Sequence, residues 1–267
     1  MRLTVLPLIV GLLAASPAIA QQPGAPEAEE ESLCADRPGL ASSTCTVEPG
    51  RTQVELAVDW SFQEDGGSRT DTLLAGDTVV RVGLDERTEF QAGWTAYGHV
   101  RERSGGAVSR DHGVGDAFVG LRRGVYERSG FSAAVQGRVS FPFGGAAIGA
   151  GDWGAELLVP LALERGGVEL LLTPAVGATP DADRDGRHLA YGLTVGAGFN
   201  LSERLSAVVD LAVGRDEDPL GATTQILAAV ALALEITKNL QLDAGAVFGL
   251  NRNSPDLELY VGAATRF

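Results

Sequence analysis

The feature that most constrains this sequence is a two-residue alternation, in which apolar residues alternate with polar or small ones throughout residues 51–267. Leu205, Val209 and Val213, for example, alternate with Ser206 and Asp210. Such alternation predicts strands that have one apolar face. The stretches run to about 10–14 residues, which is long for a soluble protein and suits a tilted strand that crosses a bilayer.

We count twelve such stretches, and the connections between them are alternately short and long. Tight turns at one end and longer loops at the other are typical of an outer-membrane barrel, and only a closed barrel satisfies the backbone in lipid. The predicted fold is all-β, an antiparallel up-and-down transmembrane β-barrel of about twelve strands with both termini at the short-turn, periplasmic end. The predicted strands are residues 51–63, 72–84, 87–99, 113–126, 130–143, 152–164, 167–178, 188–200, 203–214, 222–236, 239–249 and 256–267.

Residues 1–20 predict a cleaved signal peptide. Arg2 precedes a short apolar run, and Ala18 and Ala20 form the small-x-small pattern that signal peptidase accepts. The run is too short for a spanning helix, which needs about 20 residues. Secretion of a barrel protein places it in the bacterial outer membrane.

Residues 21–50 differ in composition from the rest and predict a separate acidic periplasmic leader, so that the barrel domain is residues 51–267. Six acids face one arginine in the leader, which favours a solvated segment. The two cysteines of the chain, Cys34 and Cys45, both lie here. Because the periplasm is oxidising, we expect a disulfide between them.

The last predicted strand carries a candidate assembly signal. Leu257, Leu259 and Val261 alternate towards Phe267, which is the final residue. A terminal aromatic residue after such a strand resembles the strand that the bacterial barrel assembly machinery recognises. We therefore assign Tyr260 and Phe267 to assembly, and outer-membrane lipid and lipopolysaccharide are the expected surroundings.

Two glycine-rich stretches resemble a known family. Residues 112–121, His-Gly-Val-Gly-Asp-Ala-Phe-Val-Gly-Leu, resemble a segment of outer-membrane proteins named for the MetA pathway of phenol degradation. Asp243-Ala244-Gly245 and Tyr260-Val261-Gly262 resemble the family's C-terminal part. The resemblance covers roughly residues 50–267 and implies a channel or transporter-like barrel for passive passage of small solutes, hydrophobic or aromatic ones among them.

Composition and motifs argue against other functions. A net charge of −14 excludes a general nucleic-acid binder, and no cofactor motif is present, so we predict a protein that is not an enzyme. One alternative is an outer-membrane lipid or lipopolysaccharide hydrolase, which would need one of His99, His112 and His188, with Ser109 beside His112 as a weak candidate. Another alternative is a non-conducting structural barrel.

One acidic loop matches the opening of a calcium loop. Asp181, Asp183 and Asp185 precede Gly186, but Gly192 stands where the last ligand, a glutamate, belongs. We predict a solvated turn and no metal, with these three acids as the weak metal candidate.

Alternation also predicts which charged residues face the lumen. Eleven acids and four arginines fall on the inward face. Such charges either line water or pair into a plug, and both alternatives stay open. An open lumen would favour cations. The predicted lumen-lining residues are Glu55, Asp59, Asp77, Arg81, Glu89, Asp116, Arg122, Arg138, Glu156, Glu169, Asp210, Glu235, Asp243, Glu258 and Arg266.

Overall fold

The computed structural model describes residues 33–145 and 147–267, so the predicted signal peptide and residues 21–32 lie outside the described residues. The described chain is all-β, and its strands form one antiparallel sheet. The strands are β1 (Thr52–Asp65), β2 (Ser68–Asp85), β3 (Thr88–Ser104), β4 (Ala107–Gly113), β5 (Ala117–Arg128), β6 (Phe131–Phe141), β7 (Gly154–Leu158), β8 (Leu161–Arg165), β9 (Val168–Pro180), β10 (Arg187–Asn200), β11 (Leu205–Asp216), β12 (Thr223–Thr237), β13 (Leu240–Gly249) and β14 (Leu257–Arg266).

These segments close into a barrel of twelve strands, as the sequence predicts. The last strand, β14, pairs with β1 and closes the sheet. Two strands of the barrel are each made of two segments: β4 and β5 both pair with β3, and β7 and β8 both pair with β6 and β9. The second interruption contains Pro160, which cannot donate a ladder hydrogen bond.

The alternation separates the two faces of the barrel wall. On β11, Val209 and Leu211 are 48 % and 56 % exposed on the outside, whereas Asp210 between them is 1 % exposed. Large aliphatic side chains thus coat the outer surface, and small and polar ones point inwards. This is the inverse of a soluble protein, whose apolar face is buried.

Two connections differ from the prediction. Residues 64–71 and 100–112 were expected to be long loops, but each is a hairpin with a two-residue turn between extended strands. The turn residues are Gly66-Gly67 and Gly105-Gly106, all four with positive φ. Successive positive φ values give the backbone twist that a tight hairpin needs, and glycine adopts them without steric cost.

The barrel has two ends, named here the turn end and the loop end. At the turn end, β1 begins, β14 finishes and the connections at 86–87, 129–130, 166–167, 201–204 and 238–239 lie. The loop end carries the two Gly-Gly hairpin turns and the connections 142–153, 181–186, 217–222 and 250–256. At the turn end, the amide and carbonyl groups of Phe267 exchange hydrogen bonds with those of Thr52. Within the described ranges, no helix is long and apolar enough to cross a membrane.

Candidate functional site

Residues 34–47, named here the inner segment, lie inside the turn-end half of the barrel. Their backbone amides donate to inward side chains of distant strands: Leu40 to Asp210 at 2.6 Å and Val47 to Glu89 at 2.8 Å. Ser42 donates to the Thr173 hydroxyl at 3.2 Å. Since these partners lie on β11, β3 and β9, the segment spans the lumen from wall to wall.

One side of the inner segment meets a buried charged network. The Arg81 guanidinium, fully buried, donates to Glu89 at 2.9 Å and to Glu55 at 3.0 Å. It also donates to the backbone carbonyls of Cys34 and Cys45. Arg81 therefore joins the barrel wall to both ends of the cysteine loop.

Arg122 makes the second link between the wall and the segment. Its Nη2 atom donates to both oxygens of Asp36, at 2.7 and 2.6 Å, and its Nη1 atom donates to the Cys45 carbonyl at 3.2 Å. Burial raises the pKa of Asp36, but the positive charges of Arg122 and Arg81 outweigh it and hold that pKa well below its usual value. Asp36 is thus an anion fixed between two arginines.

Neutral amides complete this network. Gln136 accepts from Arg122 at 2.8 Å and donates to Gln91, which donates to Glu89. Gln53 donates to Glu55 at 2.8 Å. These glutamines leave few donors unused, as a buried charged network requires. The sequence analysis did not include these glutamines. Gln53, Gln91 and Gln136 fall on the inward face near the turn end, and this pattern could have indicated a buried polar network.

The other side of the inner segment is apolar. Leu40 packs against a cluster of Ala229, Ala231, Val247 and Tyr260, and Ala41 packs between Ala162 and Leu171. The Tyr260 hydroxyl also accepts a hydrogen bond from the Gly39 amide at 3.0 Å. Tyr260 therefore faces the lumen and supports the segment, on the opposite side of the wall from its neighbours Leu259 and Val261.

The predicted disulfide is present, and the predicted setting of residues 34–47 is wrong. Cys34 and Cys45 are bonded, with Cα atoms 5.9 Å apart. The expected solvated leader is instead folded into the barrel from Cys34 onwards. Its polar composition argued for solvent, but the barrel interior is itself polar and satisfies the segment's amides and carbonyls as water would.

The loop-end half of the lumen holds an open cavity of about 570 Å³. Its wall is mostly small residues, including Ala155, Gly177 and Gly192, and it also carries Phe118. Two predicted lumen residues line it: Arg138 and Glu156, whose charged groups lie 3.4 Å apart. The Arg138 guanidinium also stacks 5.5 Å from the Phe118 ring. The cavity offers a small-molecule space with one ion pair and one aromatic face.

Asp116 holds an inward fold of the 142–153 connection at the loop end. Its two oxygens accept hydrogen bonds from the amides of Gly144 and Ala150, at 2.8 and 2.7 Å. Ile148 of this connection packs on Gly98, where a Cβ would lie 2.5 Å from the Ile148 side chain. Asp116 of the glycine-rich motif at residues 112–121 therefore holds this loop in place.

The remaining predicted lumen residues fall into two groups. Asp59, Asp77, Asp243 and Glu258 lie near one another with Arg37 of the inner segment facing them, its guanidinium 3.9 Å from Asp59. The others lie towards the turn end, where the Arg266 side chain donates to Asn239 and lies 3.6 Å from Glu48. These others are Glu169, Glu235 and Arg266.

The calcium-like loop does not bring its three acids together. Asp183 and Asp185 are exposed, and the Asp185 amide donates to the Asp183 carboxylate at 3.0 Å. Asp181 instead turns to His188, 2.8 Å away. Asp218 of the next loop joins them, and amide hydrogen bonds from Ala182 and Leu220 lower its pKa. The spacing of acids within residues 181–186 did not predict this cluster, because Asp181 and Asp218 belong to two different loops.

The hydrolase alternative finds no support in the geometry. Ser109 and His112 lie on β4 three residues apart, so their side chains point to opposite faces of the strand. Within residues 33–145 and 147–267, no hydrogen bond joins a histidine ring to a serine hydroxyl. His99 and His112 are paired across two strands.

The fold and the interior together define a closed antiparallel barrel of the transmembrane type, with a folded segment inside. The family described as "Putative MetA-pathway of phenol degradation" matches residues 35–267, and the chain belongs to it. The match therefore includes most of the inner segment, which the sequence analysis placed outside the resemblance.

Solved structures show the same fold at low sequence identity. A NanC porin structure in a rhombohedral crystal form has a TM-score of 0.51 and 8 % identity, over 79 % of this chain and 98 % of that chain. A KdgM porin in complex with disordered oligogalacturonate has a TM-score of 0.50 and 10 % identity, over 79 % and 99 %. A comparison with curated protein sequences finds no match.

Proposed function

We propose that this protein is an outer-membrane channel for passive passage of small neutral or cationic solutes, phenol-sized aromatics among them. In this proposal the inner segment closes the turn end at rest and moves aside for passage. The observation that carries it is the division of one lumen into an open half and a filled half: a cavity of about 570 Å³ at the loop end and residues 34–47 at the turn end. The cavity falls within the usual size of small-molecule sites.

The charge of the interior supports the preference for neutral or cationic solutes. Arg37 is the positive charge that faces Asp59, Asp243 and Glu258, and Asp77 lies near Asp59. Arg37 belongs to the inner segment, so its departure leaves four acids facing the lumen. Rings of acidic side chains favour cations, and low-dielectric walls strengthen the field. The electric field of these acids does not discriminate against neutral solutes.

The family assignment supports the aromatic part of the proposal, since its description refers to phenol degradation. Phe118 and the paired Arg138 and Glu156 give the cavity one aromatic face and one compensated charge pair. Such a lining suits a small ring with a hydroxyl group. The proposal needs no cofactor and no catalytic group.

The orientation in the membrane is part of the same proposal. The turn end faces the periplasm and the loop end faces outwards, with lipid and lipopolysaccharide against the apolar outer surface. Short turns on the periplasmic side are the rule for bacterial barrels. The barrel assembly machinery is the proposed partner during insertion, through the strand that finishes at Phe267.

Solute uptake into proteoliposomes tests the function. Intact protein and a variant without residues 34–47 are reconstituted, and swelling is followed with a phenol-sized neutral solute, a cation and an anion of similar size. We expect the variant to admit the neutral and cationic solutes faster than the anion. Swelling of the variant no faster than that of protein-free liposomes, or fastest for the anion, would contradict the proposal.

The pair Asp59→Asn and Glu258→Gln sharpens this experiment. Introduced together into the variant lacking residues 34–47, they remove two of the four interior acids. We expect the cation to lose its advantage over the anion while neutral uptake is unchanged. Glu169→Gln, which lies outside the group of four, serves as the matched control.

A further inference from the structure

At the loop end, one buried histidine lies among three carboxylates that belong to different strands and loops. His188 near the start of β10 is 9 % exposed and Asp181 of the preceding loop is 8 % exposed. Asp218 comes from residues 217–222, and Asp216 is the last residue of β11.

The two ring nitrogens of His188 face different partners. Nδ1 lies 2.8 Å from Asp181 Oδ1 and 3.7 Å from Asp218 Oδ2. Nε2 lies 2.9 Å from Asp216 Oδ1 but is buried without an aligned hydrogen bond. A neutral imidazole carries one N–H group, so it cannot donate to oxygens on both sides. The site therefore needs a further cation, either a second proton on the ring or a metal ion.

The surrounding arginines do not supply that charge. Arg187 pairs with Asp152 at 2.7 Å, and Arg215 pairs with Glu217 at 3.0 Å. A ring protonated at both nitrogens would still leave the three carboxylates in excess by two charges. A divalent ion with a neutral ring leaves an excess of one, so the metal balances the cluster better than the second proton does.

The distances fit a small divalent ion. Bonds of about 2.0–2.1 Å in a tetrahedral site place ligand atoms about 3.3 Å apart. The two observed separations from Nδ1, 2.8 and 3.7 Å, lie on either side of this value. Shifts of about half an ångström in Asp181 and Asp218 would therefore complete the geometry. All three ligand atoms already lie within 4.8 Å of one another.

We propose that Asp181, His188 and Asp218 bind one Zn²⁺ ion, or a divalent transition-metal ion of similar preference, at the loop end. His188 ligates through Nδ1 and donates Nε2–H to Asp216, because the other ring nitrogen of a metal-bound histidine usually donates to a carboxylate or carbonyl oxygen. An imidazole nitrogen with two carboxylates suits zinc, whereas calcium takes oxygen ligands. The ion joins the 181–186 and 217–222 connections, and the site is independent of solute passage.

Isothermal titration of the purified, metal-stripped protein in detergent with ZnCl₂ tests the site. We expect saturable binding of one ion, at least tenfold weaker in His188→Ala and in Asp218→Asn. Asp216→Asn should weaken binding about 10- to 100-fold, because loss of the carboxylate that orients a ligating histidine has effects of that size. The matched control is Asp185→Asn, an exposed acid of the same loop, which should bind as the unmodified protein does.

A Co²⁺ titration gives a second, spectroscopic measurement. Visible absorption bands typical of four-coordinate cobalt should develop with one equivalent and disappear in His188→Ala. Retention of the native electrophoretic mobility without heating shows that each variant is folded. Absence of saturable Zn²⁺ binding, equal affinity in His188→Ala, or preference for Ca²⁺ over Zn²⁺ would overturn the assignment, and the first of these would leave a protonated ring as the bridging cation.

Discussion

Removing the contact between Arg122 and Asp36 is the most specific way to perturb the inner segment. Arg122 is fully buried, and in the docked state it binds both carboxylate oxygens of Asp36 and the Cys45 carbonyl. When the segment leaves the lumen, Arg122 keeps only wall partners such as Gln136 and Glu89. Arg122→Ala therefore acts mainly on the docked state.

The expected magnitude follows from the loss of one partner of a buried ion pair. Such a loss costs about 3–5 kcal/mol where the other charge stays buried without compensation. The Asp36 side chain is 28 % exposed, which lowers the cost towards the bottom of this range. At about 1.4 kcal/mol for each factor of ten, the ratio of undocked to docked segment should rise roughly 100- to 4,000-fold. Arg81, which also faces Asp36, places the expected value towards the lower end.

Hydrogen exchange at single amides measures this ratio. The amides of Leu40, Ser42 and Val47 donate to wall side chains and exchange only when the segment leaves. In Arg122→Ala their exchange should accelerate together by the factor given above, while strand amides stay protected. The matched control is Arg123→Ala, whose side chain is 61 % exposed and contacts Asp85 outside the lumen.

A double-mutant cycle identifies the partner. Asp36→Asn should add little to Arg122→Ala, because both remove the same interaction. Exchange of the three segment amides within threefold of the unmodified protein in Arg122→Ala, or an equal acceleration in Arg123→Ala, would refute the reasoning.

Three further predictions concern the wall, the last strand and pH. Val209→Arg should lower the yield of folded protein more than Val208→Arg, because an arginine on the lipid-facing side costs about 2–4 kcal/mol at the membrane midplane; the heat-modifiable fraction on gels measures this, and equal yields would contradict the orientation. Deletion of Phe267 should reduce membrane-inserted protein while leaving secretion intact; normal inserted amounts, quantified in membrane fractions, would count against its assembly role. Folding lowers the pKa of Asp36 from 3.8, so its stabilisation of docking is present above about pH 4 and is lost as the pH falls further. The protection of the segment amides, which is their exchange rate relative to the intrinsic rate at the same pH, should therefore fall below about pH 4, and this dependence should disappear in Asp36→Asn.

The wall of the barrel was predictable because each strand repeats the same local rule. Residues 203–214 were predicted as a strand and Leu205–Asp216 is observed; 239–249 was predicted and Leu240–Gly249 is observed. In a membrane barrel the two faces meet lipid and a polar interior, so alternation alone assigns the orientation of a residue. The two glycine hairpins were misjudged because Gly-Gly pairs serve both in loops and in tight turns.

The contents of the barrel were not predictable in the same way. Placing the inner segment requires knowing that Arg81 and Glu89 of one hairpin meet Arg122 of a later strand at one level of the lumen. No local pattern encodes that meeting, because it depends on strand tilt and stagger. The disulfide was predictable from compartment and count alone, whereas its position inside the barrel was not. The cluster of Asp181, His188 and Asp218 was not predictable for the same reason. His188 and Asp218 come close to each other because β10 pairs with β11.

The central claim is that residues 34–47 close the turn-end half of the lumen, and ionic current through single proteins in a planar bilayer tests it most directly. At low salt and neutral pH, the intact protein should stay at a low, mostly closed conductance. The variant without residues 34–47 should carry a larger, steady and cation-selective current, because it loses both the segment and Arg37. Equal conductance in the two proteins, or a large steady current through the intact one, would contradict the account.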